Sequence, residues 1–171
     1  MINTIRSLIY FVILVLTQVL VLNNIHFLRL MTPFLYIYFI IKLSVGHSSV
    51  QTTFLSFLLG ITIDILSNTS GMHAAACTLV GFARPFVIRI FMREDLPENL
   101  IPSYKTFGYG GFIRFTLLLV ILHHVCLFLL ESLSLFDPLF LTIRILAGII
   151  LTSLLICMVE AFNRESRRYE D

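Results

Sequence analysis

The stretch GITIDILSNTSGMHAAA, residues 60–76, decides how this chain is read. An apolar run ends near an aspartate, the turn formers Ser67, Asn68, Thr69 and Ser70 follow, and a second apolar run opens after Gly71 and His73. Ser, Asn and Thr favour turns and helix caps because their side chains bond nearby backbone. Gly60, Gly71 and Gly81 with Ala74, Ala75 and Ala76 form a zone of small residues in which two helices in lipid can approach closely. The pattern predicts a tight helical hairpin.

The rest of the chain has the same solvent preference. Of its 171 residues 58% are hydrophobic and only 13% charged, whereas soluble domains sit near about 45 to 50% apolar and about 25% charged. A soluble fold of this size buries only about 70% of its chain surface, so the remaining apolar side chains would form aggregating patches outside. A bilayer is the expected solvent. Spanning needs about 20 apolar residues, within a range of about 17 to 25. The expected fold is an all-α, polytopic bundle of about six transmembrane helices in a single integral membrane domain, with spans near residues 7–25, 28–45, 49–66, 72–92, 112–130 and 138–159. The second is the weakest, because Pro33 interrupts it and Lys42 lies near its end. The first lacks a small-residue cleavage motif and is expected to stay in the mature chain.

Short cytoplasmic loops collect Lys and Arg. With the N-terminus inside, the inner side receives Arg6, Lys42, Arg89, Arg93, Lys105, Arg114, Arg164, Arg167 and Arg168, and the outer loops keep only Arg29. Both termini are therefore expected in the cytoplasm, after six crossings or after four with a re-entrant second and third segment. The polar stretch MREDLPENLIPSYKTFGY, residues 92–109, is expected to be a cytoplasmic connection and residues 163–171 a tail too short to fold alone.

Three charged side chains fall within apolar runs, Asp64, Arg84 and Arg144, where an ion near the centre costs about 2.5 to 3.5 kcal/mol on insertion scales. Asp64 reads first as a helix-end residue bonding exposed backbone. Its depth, roughly 3 Å from the outer end against roughly 9 Å for Arg144, also permits an Asp64–Arg144 ion pair, and proton or substrate handling is the third reading. Arg84 needs a carbonyl, a partner or a wet cavity, or must snorkel inward; Pro85 frees the Gly81 carbonyl as one acceptor. His73 reads as an interfacial ring bonding backbone or water. The adjacent His123 and His124 cannot share one helix face, which disfavours a paired metal site; one is expected to pack and the other to bond a neighbouring helix. Tyr36, Tyr38, Tyr104 and Tyr109 are expected at interfaces with wet hydroxyls. FGYGGFIRF, residues 107–115, suggests a glycine-loosened helix start ahead of a hinge or protein contact.

No catalytic constellation emerges. The chain has no GxSxG elbow, no HExxH and no phosphate loop, and Cys77, Cys126 and Cys157 lack metal or redox spacing. No cofactor and no metal site are expected, and a net charge of +2 gives no argument for nucleic acid. An intramembrane enzyme or ion carrier is the least supported class.

A proline-led second segment (PFLYIYFIIKL), a G-x-x-x-D-x-x-S-x-x-x-G-x-H-A hairpin (Gly60, Asp64, Ser67, Gly71, His73, Ala74), FARPFVIRIF and ILHHVCLFLLES together resemble the rod shape-determining MreD family, in the form found in Bacteroidetes-type bacteria. The resemblance covers nearly the whole chain, with the hairpin carrying most of its weight. It implies a non-enzymatic inner-membrane subunit of the cell-elongation machinery that binds MreC and, through it, MreB, RodA and a class B penicillin-binding protein. The candidate structural or partner-binding residues are Asp64, Gly71, His73 and Arg84, with Arg144 as the possible partner of Asp64. The family is also similar in fold to the S components of energy-coupling-factor transporters, so a membrane binder of a vitamin-type small molecule is the alternative. Such a component would show an outward-facing polar pocket and an AxxxA docking face, and that spacing is absent here, since Ala74 to Ala76 are consecutive.

Overall fold

In the computed structural model the described residues are 2–24, 32–91, 97, 99–132 and 138–168. Arg29, Arg93, Asp137 and residues 28–31 of the second expected span lie outside them, as do the side chains of Arg6, Arg164, Arg167 and Arg168. The helices are α1 (Ile2–Leu20), α2 (Ile37–Ile41), α3 (Ser49–Ser67), α4 (Met72–Phe91), α5 (Tyr104–Glu131) and α6 (Pro138–Arg168), with a single 3-10 turn at Leu22–Asn24. No strand occurs among the described residues. All except α2 are long and apolar enough to cross a membrane, which makes five such helices.

Local sequence explains most of the boundaries. Ser48 caps α3 by accepting from the Gln51 N–H at 3.2 Å while the Gln51 side chain accepts from the Ser48 N–H at 3.1 Å. Ser103 and Thr106 repeat the device at α5. This starts α5 at Tyr104, eight residues ahead of the expected 112, inside the stretch assigned to a connection. Gly108, at φ 69°, then breaks the helical path one turn in, so the glycine-loosened start is what forms. Helix α6 continues as helix to Arg168 and absorbs most of the expected tail.

The second expected span differs most. Its described part contains a helix of five residues, about 7.5 Å at 1.5 Å per residue, against about 30 Å of hydrocarbon. Side-chain contacts show why a long helix is replaced. Asn23, in the 3-10 turn after α1, donates to Ser67 Oγ at the end of α3 at 2.9 Å, while Ser7 and Phe11 at the start of α1 line one cavity with Leu55 and Leu58 in the first half of α3, so these helices run parallel. The chain between them must therefore run back along the bundle. It does so through residues 33–45: the Phe34 N–H meets Thr152 at 3.1 Å, the Tyr38 hydroxyl meets Glu160 at 2.6 Å, and Lys42 reaches the Pro102 carbonyl at 2.8 Å. From Thr152 to Glu160 is about 12 Å along α6.

Phe34 to Ile41 and Leu43 are all buried. Backbone outside a long helix is tolerated at membrane depth only when protein surrounds it, and here α1, α3, α4, α5 and α6 do so. Asn163, late in α6, lies 3.4 Å from the Tyr10 hydroxyl of α1, so the two ends of the described chain share one end of the bundle. The outer surfaces of α1 and α6 carry exposed Leu8, Val12, Leu16, Leu139, Ile143 and Ile150, a face suited to lipid.

Candidate functional site

Most of the described polar side chains of the interior converge on two features, the α3–α4 turn and the buried segment 33–45. At the turn, Asp64 is 3% exposed. Its carboxylate accepts from the Ala74 N–H at 2.7 Å, the His73 N–H at 3.2 Å and the Thr69 hydroxyl at 2.5 Å. It thus satisfies the unpaired N–H groups that open α4 and places a negative charge at the positive end of that helix. Asn68 closes α3 in the left-handed conformation at φ 54°, and Gly71, at φ 83°, turns the chain into α4. A Cβ on Gly60 would lie 2.5 Å from Ala74 Cα and from the His73 carbonyl. The hairpin is therefore as tight as its small residues allow.

This geometry corrects the ion-pair expectation. Asp64 is used up by backbone and Thr69, while Arg144 donates to Glu131 at 2.9 and 3.3 Å on the neighbouring helix and stacks 4.7 Å from the Phe128 ring. The depth estimate was compatible with Asp64 and Arg144 meeting, but α5 supplies a nearer carboxylate. The helix-end reading of Asp64 is the one the structure bears out.

Below the turn lies a buried hydrogen-bonded chain. The Tyr36 hydroxyl sits 2.7 Å from His73 Nδ1 and 2.9 Å from His123 Nε2. One contact uses the hydroxyl as donor and the other uses it as acceptor, and because it meets Nδ1 of His73 but Nε2 of His123, the two neutral rings carry the same tautomer, both protonated at Nε2 or both at Nδ1. His124 is constrained further. Its Nδ1 lies 2.9 Å from the Val120 carbonyl and must donate there, leaving Nε2 to accept from Thr152 Oγ1 at 3.2 Å, which in turn accepts from the Phe34 N–H. Phe34 packs at 5.3 to 5.6 Å against His73, His123 and His124. Both adjacent histidines are thus enclosed, and both reach other elements by hydrogen bonds. Tyr36 and Tyr38 are buried, not interfacial, and Nδ1 of the His73 ring bonds the Tyr36 hydroxyl.

At the opposite end of the segment two cations take over. Arg84 is fully buried and donates to the Leu43 carbonyl, with the Ile41 and Ser44 carbonyls at 3.5 Å. Its acceptors are the carbonyls left over where α2 ends, not the Gly81 carbonyl freed by Pro85. Lys42 forms a 3.0 Å ion pair with Glu160, which also accepts from Tyr38. Back at the Phe34 end, Gln18 donates to the Pro33 carbonyl at 3.0 Å and accepts from the Leu35 N–H at 2.9 Å.

Of the candidates, Asp64, Gly71 and His73 come together at the turn, Arg84 joins the far end of the buried segment, and Arg144 stands apart on the α5–α6 rim. Sequence reasoning passed over Gln18, Thr152 and Glu160. The available signal was their polarity within or beside an apolar helix, where such a residue faces protein and has a partner. Among the described residues no group of three or more His, Cys, Asp or Glu side chains could hold a metal ion. No protein family, no curated protein and no solved structure matches this chain.

Proposed function

We propose that this chain is a non-enzymatic membrane scaffold of the MreD type, a subunit of the rod-shape machinery that binds MreC and through it helps organise MreB, RodA and a class B penicillin-binding protein. The supporting observation is how the interior polar groups are used. Asp64, His73, Tyr36, His123, Arg84 and Glu160 are engaged in holding a turn and a buried backbone segment, while the outer faces of α1 and α6 are apolar and exposed. A partner's transmembrane helix would associate there by close packing and a few polar bonds.

The same end of the bundle that holds Ser7, Ser48 and Asn163 carries Lys42 and Lys105, which supports a cytoplasmic placement of both termini in the bacterial inner membrane. In an S component the space under the outer loops would hold a ligand. Here Phe34 packs among Tyr36, His73, His123, His124 and Phe128 on the Asp64 side of the bundle, and these rings take up interior space there, which supports the scaffold over the vitamin binder.

Purification from native membranes tests this reading. The intact protein is expected to bring MreC with it, and Asp64→Asn, which removes the charge and replaces one of the two acceptor oxygens by an amide donor facing a backbone N–H, is expected to weaken that association and distort cell shape. Intact MreC recovery and normal rods with a folded Asp64→Asn protein would count against the site. Tight vitamin binding in a thermal-shift screen would favour the alternative.

A further inference from the structure

Helices α1 and α3 meet at the end that holds Asn23 and Ser67. Toward the other end a cavity of about 430 Å³ opens between the start of α1, the far end of the buried segment and the first half of α3. Its walls are apolar, formed by Phe11, Phe39, Leu43, Leu55 and Leu58, while Ser7, Tyr10, His47 and Asn99 bring polar groups to it. The size falls within the range of about 300 to 1,000 Å³ for ligand pockets, and an apolar body with a few polar groups is their usual make-up.

Depth and charge narrow the occupant. Leu58 lies nine residues beyond Ser49, about 14 Å into the apolar layer at 1.5 Å per residue. That is roughly half of the ~30 Å hydrocarbon thickness, the depth of one leaflet. The cation in the lining, Lys42, is held by the Glu160 carboxylate at 3.0 Å and by the Pro102 carbonyl at 2.8 Å. Among the described lining residues the charge is already balanced, so their polar groups offer hydrogen bonds to a head that carries no net charge.

We propose that this cleft is a binding site for one acyl chain of a zwitterionic glycerophospholipid, drawn from the leaflet on the Ser7 side, with the head held near Tyr10, His47 and Asn99. The site does not depend on the scaffold reading. It ties the annular lipid to the segment 33–45, because Phe39 and Leu43 face the chain from one side and the buried core from the other.

Native mass spectrometry after detergent delipidation tests it, with the full-length protein reloaded from an equimolar mixture of palmitoyl-oleoyl phosphatidylethanolamine and the matching phosphatidylglycerol. The wild type is expected to retain a single phosphatidylethanolamine. Leu55→Trp and the milder Leu58→Phe, which fill the cleft, are expected to lower retention by about tenfold, whereas Ile65→Trp, on the exposed face of α3, leaves it unchanged. If Leu55→Trp loses its helical circular dichroism or elutes as aggregate, Leu58→Phe decides. Equal retention in wild type and the cleft-filled variant, phosphatidylglycerol bound as well as phosphatidylethanolamine, or no lipid retained by the wild type would each overturn the proposal.

Discussion

The α3–α4 hairpin and the segment 33–45 solve one problem by opposite means. Both must pair backbone groups that a continuous helix would have paired, at the end of the bundle in the hairpin and in its interior in the segment. In the hairpin the partners are local: the groups bonded to the Asp64 carboxylate lie five, nine and ten residues away. In the buried segment they are remote, with Gln18 at 15 and 17 residues, Arg84 at 41 and Thr152 at 118. A structure closed by neighbours can form on its own as a hairpin. One closed by residues of α1, α4 and α6 forms only when the bundle assembles around it.

That difference predicts a ranking of damage. Glu160→Leu is expected to be the most harmful change, because it removes the carboxylate that balances the Lys42 charge and accepts from the Tyr38 hydroxyl; breaking one side of a buried pair costs about 3 to 5 kcal/mol. Unfolding in SDS-containing mixed micelles measures this, and pairing the change with Lys42→Met should recover part of the loss. No recovery would mean that Glu160 acts on something other than this pair.

Next comes Gly60→Val, which forces a side chain into the Ala74 backbone and should cost about 3 kcal/mol by overpacking. The matched control is Gly110→Ala, whose added Cβ meets nothing within 4 Å. Equal stability of these two variants would refute a tight hairpin. Tyr36→Phe follows at about 2 kcal/mol, within the cost of leaving buried polar groups unpaired, since it strips one partner from His73 and one from His123. In the same titration a wild-type midpoint for this variant would show that the histidine chain adds nothing, and the contrast between the two regions would then rest on the ends of the segment alone.

The reasons for what could be read follow the same division. Asp64, the turn formers and the small residues of α3 and α4 were legible because their roles depend on neighbours within one hairpin. The long apolar helices were legible because a continuous apolar run reports its own solvent. The path of residues 33–45 was legible only in the negative, through Pro33 and Lys42. Depth permits an Asp64–Arg144 pair as well as the Glu131–Arg144 pair that forms, because depth along two helices does not say which helices touch. Tyr36 and Tyr38 were placed at an interface because a phenol satisfied by water and one satisfied by a buried histidine or glutamate look alike in one sequence.

What the sequence by itself determined is the solvent of each stretch and the local closure of the hairpin, since hydropathy and turn chemistry act over a few residues at a time. Only the tertiary structure decided that α1 and α3 run parallel, that the chain between them returns through the core on a helix of five residues, and that Gln18, Thr152, Arg84 and Glu160 supply its missing hydrogen bonds. Those pairings join residues far apart along the chain, and no local pattern records a distant partner.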